Sequence, residues 1–136
     1  MEKREILFKG SNDTLNFGDY TLTEKTKKSD FEYKGDSYKV KTFYEITKLE
    51  KNEAFVYESV PGTTVTDFVM TETTVDFKVE GKEDAQIAIE LESAQEYKVS
   101  VDGSDIGTIK TNIGGKLVFS VELGEGSQAS VKIEKQ

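Results

Sequence analysis

The sequence of 136 residues contains no cysteine, no histidine and no tryptophan, and it has one proline (Pro61) and one arginine (Arg4). Without cysteine there is no disulfide, no thiolate metal site and no cysteine nucleophile. Without histidine the chain lacks the usual general base at neutral pH and the commonest protein ligand for zinc, copper and iron. These absences favour a non-enzymatic protein, and we predict no catalytic residue, no cofactor and no metal site.

Basic residues are in the minority, because 18 lysines and arginines stand against 26 aspartates and glutamates, a formal net charge of −8. Nucleic acids and anionic membranes both attract basic surfaces, so we expect neither as a partner. No window approaches the roughly 18 apolar residues of a membrane helix. The apolar run in the opening MEKREILFKG is too short for a signal peptide. We therefore expect a cytoplasmic protein, with export by a route that needs no signal left open.

Apolar and polar residues alternate in five segments of the second half. These segments cover residues 75–79, 85–91, 97–101, 117–123 and 131–133. A period of two places every second side chain on one face of a sheet, which is typical of half-buried strands. Turn sequences such as Asp102-Gly103 separate the strands at the spacing of a sandwich. No segment has the apolar spacing of a helix, so we predict an all-β antiparallel sandwich with essentially no helix.

The first half has a less regular β pattern. Residues 6–8 and 31–33 are short candidate strands, and residues 38–46 alternate as one longer strand of aromatic and β-branched side chains. Asn52 marks a hairpin turn before the next strand. Val60-Pro61-Gly62-Thr63 fits a type II turn with positive φ at Gly62, which would form a corner between strands.

Composition changes near residue 71. Residues 1–71 hold 11 of the 14 aromatic side chains and carry a net charge of −2, whereas residues 72–136 carry −6. We therefore place a boundary between an aromatic-rich N-terminal β module (1–71) and an acidic C-terminal β-sandwich module (72–136). No linker rich in glycine, serine or proline separates them, so one continuous sandwich is the alternative.

The segment Gly124-x-Gly126-x-x-Ala129 has the outline of a dinucleotide-binding fingerprint. That fingerprint requires a helix after its glycines, because the pyrophosphate binds at the N-terminus of the helix. Here the alternating residues 130–134 follow instead, and they predict a strand. We interpret the glycines as the tip of a hairpin and expect no nucleotide cofactor.

Two charged clusters are weak candidates for ion sites. Asp102 and Asp105, with Glu83 and Asp84, could offer oxygen ligands to calcium, but they lack the ligand spacing of a calcium loop and are better explained as turns. Three lysines with acidic neighbours predict a solvated basic turn rather than a phosphate site. They are Lys25, Lys27 and Lys28.

Aromatic side chains are the most suggestive candidates for binding. Tyr38, Tyr44 and Tyr57 lie in or beside predicted strands, and exposed tyrosines on a sheet stack on sugar rings or anchor a protein partner. A glycan is therefore one candidate ligand, with these three tyrosines as its binding residues. Packing in the core is the competing explanation, since large aromatic residues are mostly interior.

A second candidate surface is an edge strand. Open sandwiches present edge strands that pair with neighbouring chains. Residues 3–9, with Ile6, Leu7 and Phe8 at their centre, are the best candidate for an edge that docks onto a second subunit. This hypothesis favours a homo-oligomer or another protein as the partner.

Four segments carry a resemblance to a known group: LNFGDYTL, DSYKVKTFYEITKLEKNEAFVYESVPGT, VEGKEDAQIAIELE and TNIGGKLVFSVELG. Through them the chain resembles short all-β proteins of anaerobic Gram-positive bacteria that are often labelled endosialidase. Residues 97–124 also resemble the small β-sandwich modules appended to carbohydrate-active proteins. The label implies a glycosidase acting on polysialic acid. Arginines are the usual means of binding such a carboxylate, so the single Arg4 and the absence of histidine disfavour it.

Overall fold

A computed structural model describes residues 5–10 and 12–136, and this part of the chain forms β-strands, turns and loops without a helix. Thirteen strands are present: β1 (Leu7–Lys9), β2 (Leu15–Phe17), β3 (Thr26–Tyr33), β4 (Asp36–Phe43), β5 (Ile46–Lys51), β6 (Ala54–Val60), β7 (Thr64–Met70), β8 (Thr74–Glu80), β9 (Ala85–Glu90), β10 (Glu96–Val101), β11 (Ser104–Lys110), β12 (Lys116–Val121) and β13 (Gln128–Lys135). Within these residues, no helix is long and apolar enough to cross a membrane.

The strands form two antiparallel sheets that pack face to face. The first sheet has seven strands in the order β1-β2-β7-β8-β13-β10-β11, and the second has six in the order β12-β9-β6-β5-β4-β3. At one side of the sandwich β1 contacts β3, and at the other side β11 contacts β12. The predicted all-β antiparallel sandwich is confirmed.

The core includes most of the alternating side chains that the sequence pattern identified in the second half, together with apolar residues of the first half. Val75, Phe77 and Val79 of β8 are buried, and their counterparts on β9, β10, β12 and β13 lie in the same apolar cluster. Tyr57 packs edge-on against Phe17 and Phe77, with ring centroids 5.1 and 5.8 Å away. Burial of this apolar area between the two sheets is the main stabilising contribution to such a fold.

Each of the two sheets contains strands from before residue 71 and strands from after it. The seven-stranded sheet contains β1, β2 and β7 beside four later strands, and the six-stranded sheet contains β3 to β6 beside β9 and β12. Residue 71 lies in the short turn between β7 and β8, which pair directly through Val65 and Val79. One buried cluster includes apolar residues of both halves. The change in composition near residue 71 is therefore not a boundary between sheets or cores.

Residues 38–46 do not form one strand, so that prediction is wrong. β4 ends at Phe43, a turn occupies Tyr44 and Glu45, and β5 returns with Ile46 opposite Phe43. The turn contains no glycine or asparagine and neither residue has positive φ, so the sequence gives no local turn signal. Backbone bonds from distant segments hold it, because Tyr44 N donates to Leu22 O and Gly62 N donates to Tyr44 O.

The predicted type II turn at Pro61 is also wrong, because Gly62 does not have the positive φ that this turn requires. The Val60–Pro61 peptide bond is cis. Glycine is required at position 62 for a different reason: a Cβ there would lie 2.0 Å from Phe43 O. Residues 61–63 still form the corner between β6 in one sheet and β7 in the other.

Residues 122–127 are not the tip of a hairpin. They connect β12 of the six-stranded sheet to β13 of the seven-stranded sheet, so the glycines Gly124 and Gly126 lie in a crossing loop. The strand predicted after them is present as β13. Alternation identifies a strand but does not indicate which sheet it joins, and this is why the hairpin interpretation was wrong.

Candidate functional site

Tyr57 lies in the core rather than on a surface. Its side chain is fully buried, and its hydroxyl is 2.8 Å from the hydroxyl of Thr63. Burial raises the pKa of the Tyr57 hydroxyl far above its usual range, and the hydrogen bonds to Thr63 and Ser59 offset only part of this effect. A glycan therefore has no access to Tyr57 in the folded protein.

Tyr38 and Tyr44 lie on separate surfaces. Tyr38 is half-buried on β4 with its ring against Tyr33, and burial, with smaller contributions from Asp36 and Tyr33, raises the pKa of its hydroxyl. Tyr44 is 52% exposed in the turn between β4 and β5. The structure therefore does not bring the three predicted tyrosines together, and Tyr44 is the most exposed of them.

Tyr44 lines a groove at the end of the sandwich where the loops meet. We name this the loop-end groove, and its volume is about 640 Å³. Its walls come from five loops and carry both aromatic and charged side chains. They include Tyr20, Tyr44, Pro61, Lys82, Glu83 and Glu125.

Buried hydroxyl groups lie behind the loops that form this groove. Asp19 N donates to Thr42 Oγ1 at 2.9 Å, and Thr42 Oγ1 lies 2.8 Å from Thr47 Oγ1. Thr47 Oγ1 then donates to Thr63 O at 2.7 Å and accepts from Thr63 N at 3.0 Å. Because the hydroxyl of Thr63 is bonded to Ser59 and Tyr57, this network joins the six-stranded sheet to the loop that leads into β7.

Four lysines share the outer surface of β3, β4 and β5, and Lys25 lies directly before β3. Val40, Thr42, Thr47 and Leu49 point into the sandwich, so the side chains between them point outwards. We name the resulting surface the lysine face; it consists of Lys25, Lys27, Lys39, Lys41 and Lys48. Lys27 of β3 is paired with Lys41 of β4, and Lys41 is paired with Lys48 of β5. Three ammonium side chains therefore follow one line across three strands.

The predicted basic turn at Lys25, Lys27 and Lys28 is wrong, because Lys27 and Lys28 belong to β3. Lys28 faces the opposite way from Lys27, and its ammonium group donates to Glu5 Oε2 at 2.7 Å and to Leu7 O at 2.9 Å. Lys27 instead joins the lysine face. The sequence pattern indicated a loop because no apolar residues alternate with these lysines in residues 24–30.

The charges of the lysine face are not neutralised locally. Among the described residues, none of the five ammonium groups makes an ion pair with a carboxylate. Glu50 and Glu58 are the nearest acidic positions in register, opposite Lys39 and Lys48. Partial burial, and after it the charges of the other four lysines, lower the pKa of Lys41. Five lysines against these two glutamates leave a formal charge of +3 on this surface.

The rest of the molecule is strongly acidic. The chain has a net charge of −8 and the five lysines contribute +5, so the remaining residues carry −13. The net charge of the whole chain does not indicate that a basic area is present. An average over the chain is a poor guide to a local electrostatic field.

The predicted assembly edge, Ile6, Leu7 and Phe8, lies at the edge of the seven-stranded sheet, while Lys3 and Arg4 of the same segment lie outside the described residues. Ile6 and Leu7 are buried in the core and Phe8 is partly exposed. The bonds from Gly18 N to Ile6 O and from Gly10 N to Thr14 O direct alternate backbone groups of β1 towards β2. The backbone groups of Leu7 and Lys9 therefore face away from the sheet, and Lys28 already occupies Leu7 O.

Three of the four acidic residues that were considered for calcium bind backbone groups. Asp102 Oδ1 accepts from Ser130 N and Asp105 Oδ1 accepts from Gly107 N, both at 2.8 Å. Asp84 Oδ1 accepts from Leu123 N at 2.9 Å, which ties the loop before β9 to the loop after β12. These contacts give each carboxylate a structural role at a turn or a loop.

Comparisons with protein families, with curated proteins and with solved structures found no match to this chain.

Proposed function

We propose that this chain is a non-enzymatic binding module that docks an acidic surface of a protein partner onto the lysine face. The observation that carries this proposal is the line of Lys27, Lys41 and Lys48 at directly opposed positions on three strands. Like charges that face each other across strands destabilise a sheet by about 0.2–1 kcal/mol per pair. A negatively charged partner reduces this repulsion between the lysines. The relief of the repulsion then contributes to the affinity of binding.

The small size of the lysine face favours a protein partner over a long polyanion. Three strands span about 10 Å, since neighbouring strands lie roughly 4.8 Å apart. A long uniformly charged polymer would extend beyond this area and meet the residues that carry −13. An acidic area on a folded protein matches the charge of the face only where the two surfaces meet. A second copy of this chain is one such protein, because it is acidic outside its own lysine face.

A glycosidase role has weaker support from the same residues. Glu83 and Glu125 line one groove, as a catalytic pair would, but both side chains are exposed. The general acid of a glycosidase needs apolar surroundings to keep its proton near neutral pH. The chain also offers no histidine and a single arginine to bind an acidic sugar.

Reversing two charges on the lysine face is expected to weaken the binding of an acidic peptide strongly. The probe is a fluorescent decaglutamate peptide, with binding followed by anisotropy at low salt. We expect Lys41→Glu with Lys48→Glu to weaken binding about tenfold or more, equivalent to about 1.4 kcal/mol, because both residues lie in the charged line. Binding to the unmodified chain should weaken as salt rises, since ions screen exposed charges.

The matched control reverses two lysines of the seven-stranded sheet, Lys110→Glu with Lys132→Glu, which changes the net charge equally. An equal loss in this control would attribute binding to overall charge and contradict the proposal. So would failure of the unmodified chain to bind the peptide at low salt. A long polyphosphate that binds more tightly per charge than the peptide would argue against a protein partner.

Self-association through β1 is a second candidate, favoured by the outward-facing backbone groups of Leu7 and Lys9. Deleting residues 1–10 would remove the buried Ile6 and Leu7, so a substitution is the sharper test. Lys9→Pro removes one outward N–H and is expected to reduce any dimer seen by sedimentation velocity, whereas Lys9→Ala keeps the N–H and should leave it unchanged. A purely monomeric unmodified chain at high concentration would remove this candidate.

A further inference from the structure

We propose that the loop-end groove is a binding site for an uncharged saccharide, separate from the lysine face. Tyr20, Tyr44 and Pro61 provide apolar surface in the groove, and Lys82, Glu83 and Glu125 provide charged groups. The groove contains none of the five lysines of the lysine face. A saccharide site in this groove is therefore independent of protein docking on the lysine face, and the two proposals are tested separately.

The position of Tyr44 in the groove is fixed by its backbone. Tyr44 N donates to Leu22 O at 2.9 Å, and Tyr44 O accepts from Gly62 N at 3.0 Å. Three segments that are distant in sequence therefore meet at this residue. Tyr20 is held in a similar way, because its backbone N donates to Thr64 Oγ1 at 3.3 Å. A site whose backbone is already ordered loses less conformational entropy on binding.

The buried hydroxyl network strengthens this order from behind. The chain of bonds from Asp19 N through Thr42 and Thr47 to Thr63 fixes the loops on two sides of the groove. Each hydroxyl in that chain is bonded to a neighbour and buried. The two tyrosines that line the groove are therefore carried by loops whose backbone is held in place, which favours binding of a ring-shaped ligand.

The side chains of the groove favour a neutral ligand rich in hydroxyl groups. The apolar face of a sugar ring packs on an aromatic ring, and its hydroxyls both donate and accept hydrogen bonds. Glu83 and Glu125 accept from such hydroxyls, and the ammonium group of Lys82 donates to them. One positive and two negative side chains leave a formal charge of −1 in the groove, which disfavours an anionic sugar. Lys82 beside the carboxylates likewise disfavours a cation.

Fluorine NMR on protein labelled with 3-fluorotyrosine tests this site, since the chain has six tyrosines and each gives its own signal. The probes are cellohexaose, xylohexaose and maltohexaose at millimolar concentration, and Tyr→Phe variants assign the signals. We expect at least one probe to shift the signals of Tyr20 and Tyr44 while the signal of the buried Tyr57 stays in place. Oligogalacturonate, which is anionic, should shift neither.

Substitutions separate ring stacking from other effects. Tyr44→Ala is expected to weaken binding of the active probe about tenfold or more, whereas Tyr44→Phe keeps the ring and should stay within about threefold of the unmodified chain. Phe8→Ala removes an exposed aromatic ring outside the groove and should have no effect. If none of the three neutral probes shifts Tyr20 or Tyr44, or if oligogalacturonate shifts them more strongly, the proposal is overturned. Either result leaves binding of decaglutamate to the lysine face unaffected.

Discussion

Replacing Gly62 by alanine is expected to lower the free energy of unfolding by about 2–4 kcal/mol, which is a large part of the stability of a domain of this size. The added Cβ would lie 2.0 Å from Phe43 O and 3.1 Å from Phe43 C. These are backbone atoms that cannot rotate away, unlike the end of a flexible side chain. Relief of the clash requires the loop at Pro61 to separate from the turn between β4 and β5. That movement breaks the hydrogen bond from Gly62 N to Tyr44 O.

Urea denaturation measures this effect, and Gly124→Ala is the matched control. A Cβ at Gly124 would meet only Ser127 Oγ at 3.8 Å, and this glycine does not have positive φ. We therefore expect Gly124→Ala to change the free energy of unfolding by less than about 1 kcal/mol, because it mainly restricts the unfolded chain. If Gly62→Ala were as stable as the control, the close approach of the two loops would be wrong. Binding of the neutral saccharide should weaken in Gly62→Ala, because Tyr44 is displaced.

The alternating pattern predicted the strands of the second half because each of these strands has one buried face and one solvated face. Val75, Phe77 and Val79 show this alternation without interruption, and they are buried on β8. Local turn signals were equally informative where the turn is stabilised by its own residues. Asp102 and Gly103 both have positive φ, as their residue types predict. In these segments the information that determines the structure is local.

The lysine face could not be predicted because it depends on register. Lys27, Lys41 and Lys48 are distant in sequence and align only when the turn at Tyr44 and Glu45 is placed correctly. That turn has no local signal, since it is stabilised by bonds to Leu22 and Gly62. Interpreting residues 38–46 as one strand missed the turn that brings Lys48 opposite Lys41. One missed turn therefore concealed the basic surface.

Burial of individual tyrosines was also beyond the reach of the sequence. Tyr44 and Tyr57 both lie in segments rich in β-branched and aromatic residues, yet one is exposed and the other is fully buried. The register between β5 and β6 shifts between Leu49 and Glu50. An irregularity of this kind changes which residues face inwards, and it arises from pairing between strands rather than from either strand alone.

Replacing Thr47 by valine is expected to lower the free energy of unfolding by about 2–4 kcal/mol, although the two side chains have nearly the same shape. Thr47 Oγ1 donates to Thr63 O and accepts from Thr63 N, and it lies 2.8 Å from Thr42 Oγ1. Valine has no oxygen, so up to three buried polar groups would lose a partner, and each such group costs about 1–3 kcal/mol when it is left unsatisfied. The shared chain of bonds makes the combined loss smaller than the sum of the three.

Thr47→Ser separates the hydroxyl from the methyl group. Serine keeps the hydrogen bonds and loses one buried methyl group, so we expect a cost of only about 1 kcal/mol in the same urea experiment. A loss in Thr47→Val no larger than that in Thr47→Ser would mean that the methyl group, and not the hydroxyl, stabilises this site. Because Thr63 leads directly into β7, the unsatisfied groups in Thr47→Val also loosen the loops behind Tyr44. Weaker saccharide binding in Thr47→Val than in Thr47→Ser would then connect the buried network to the groove.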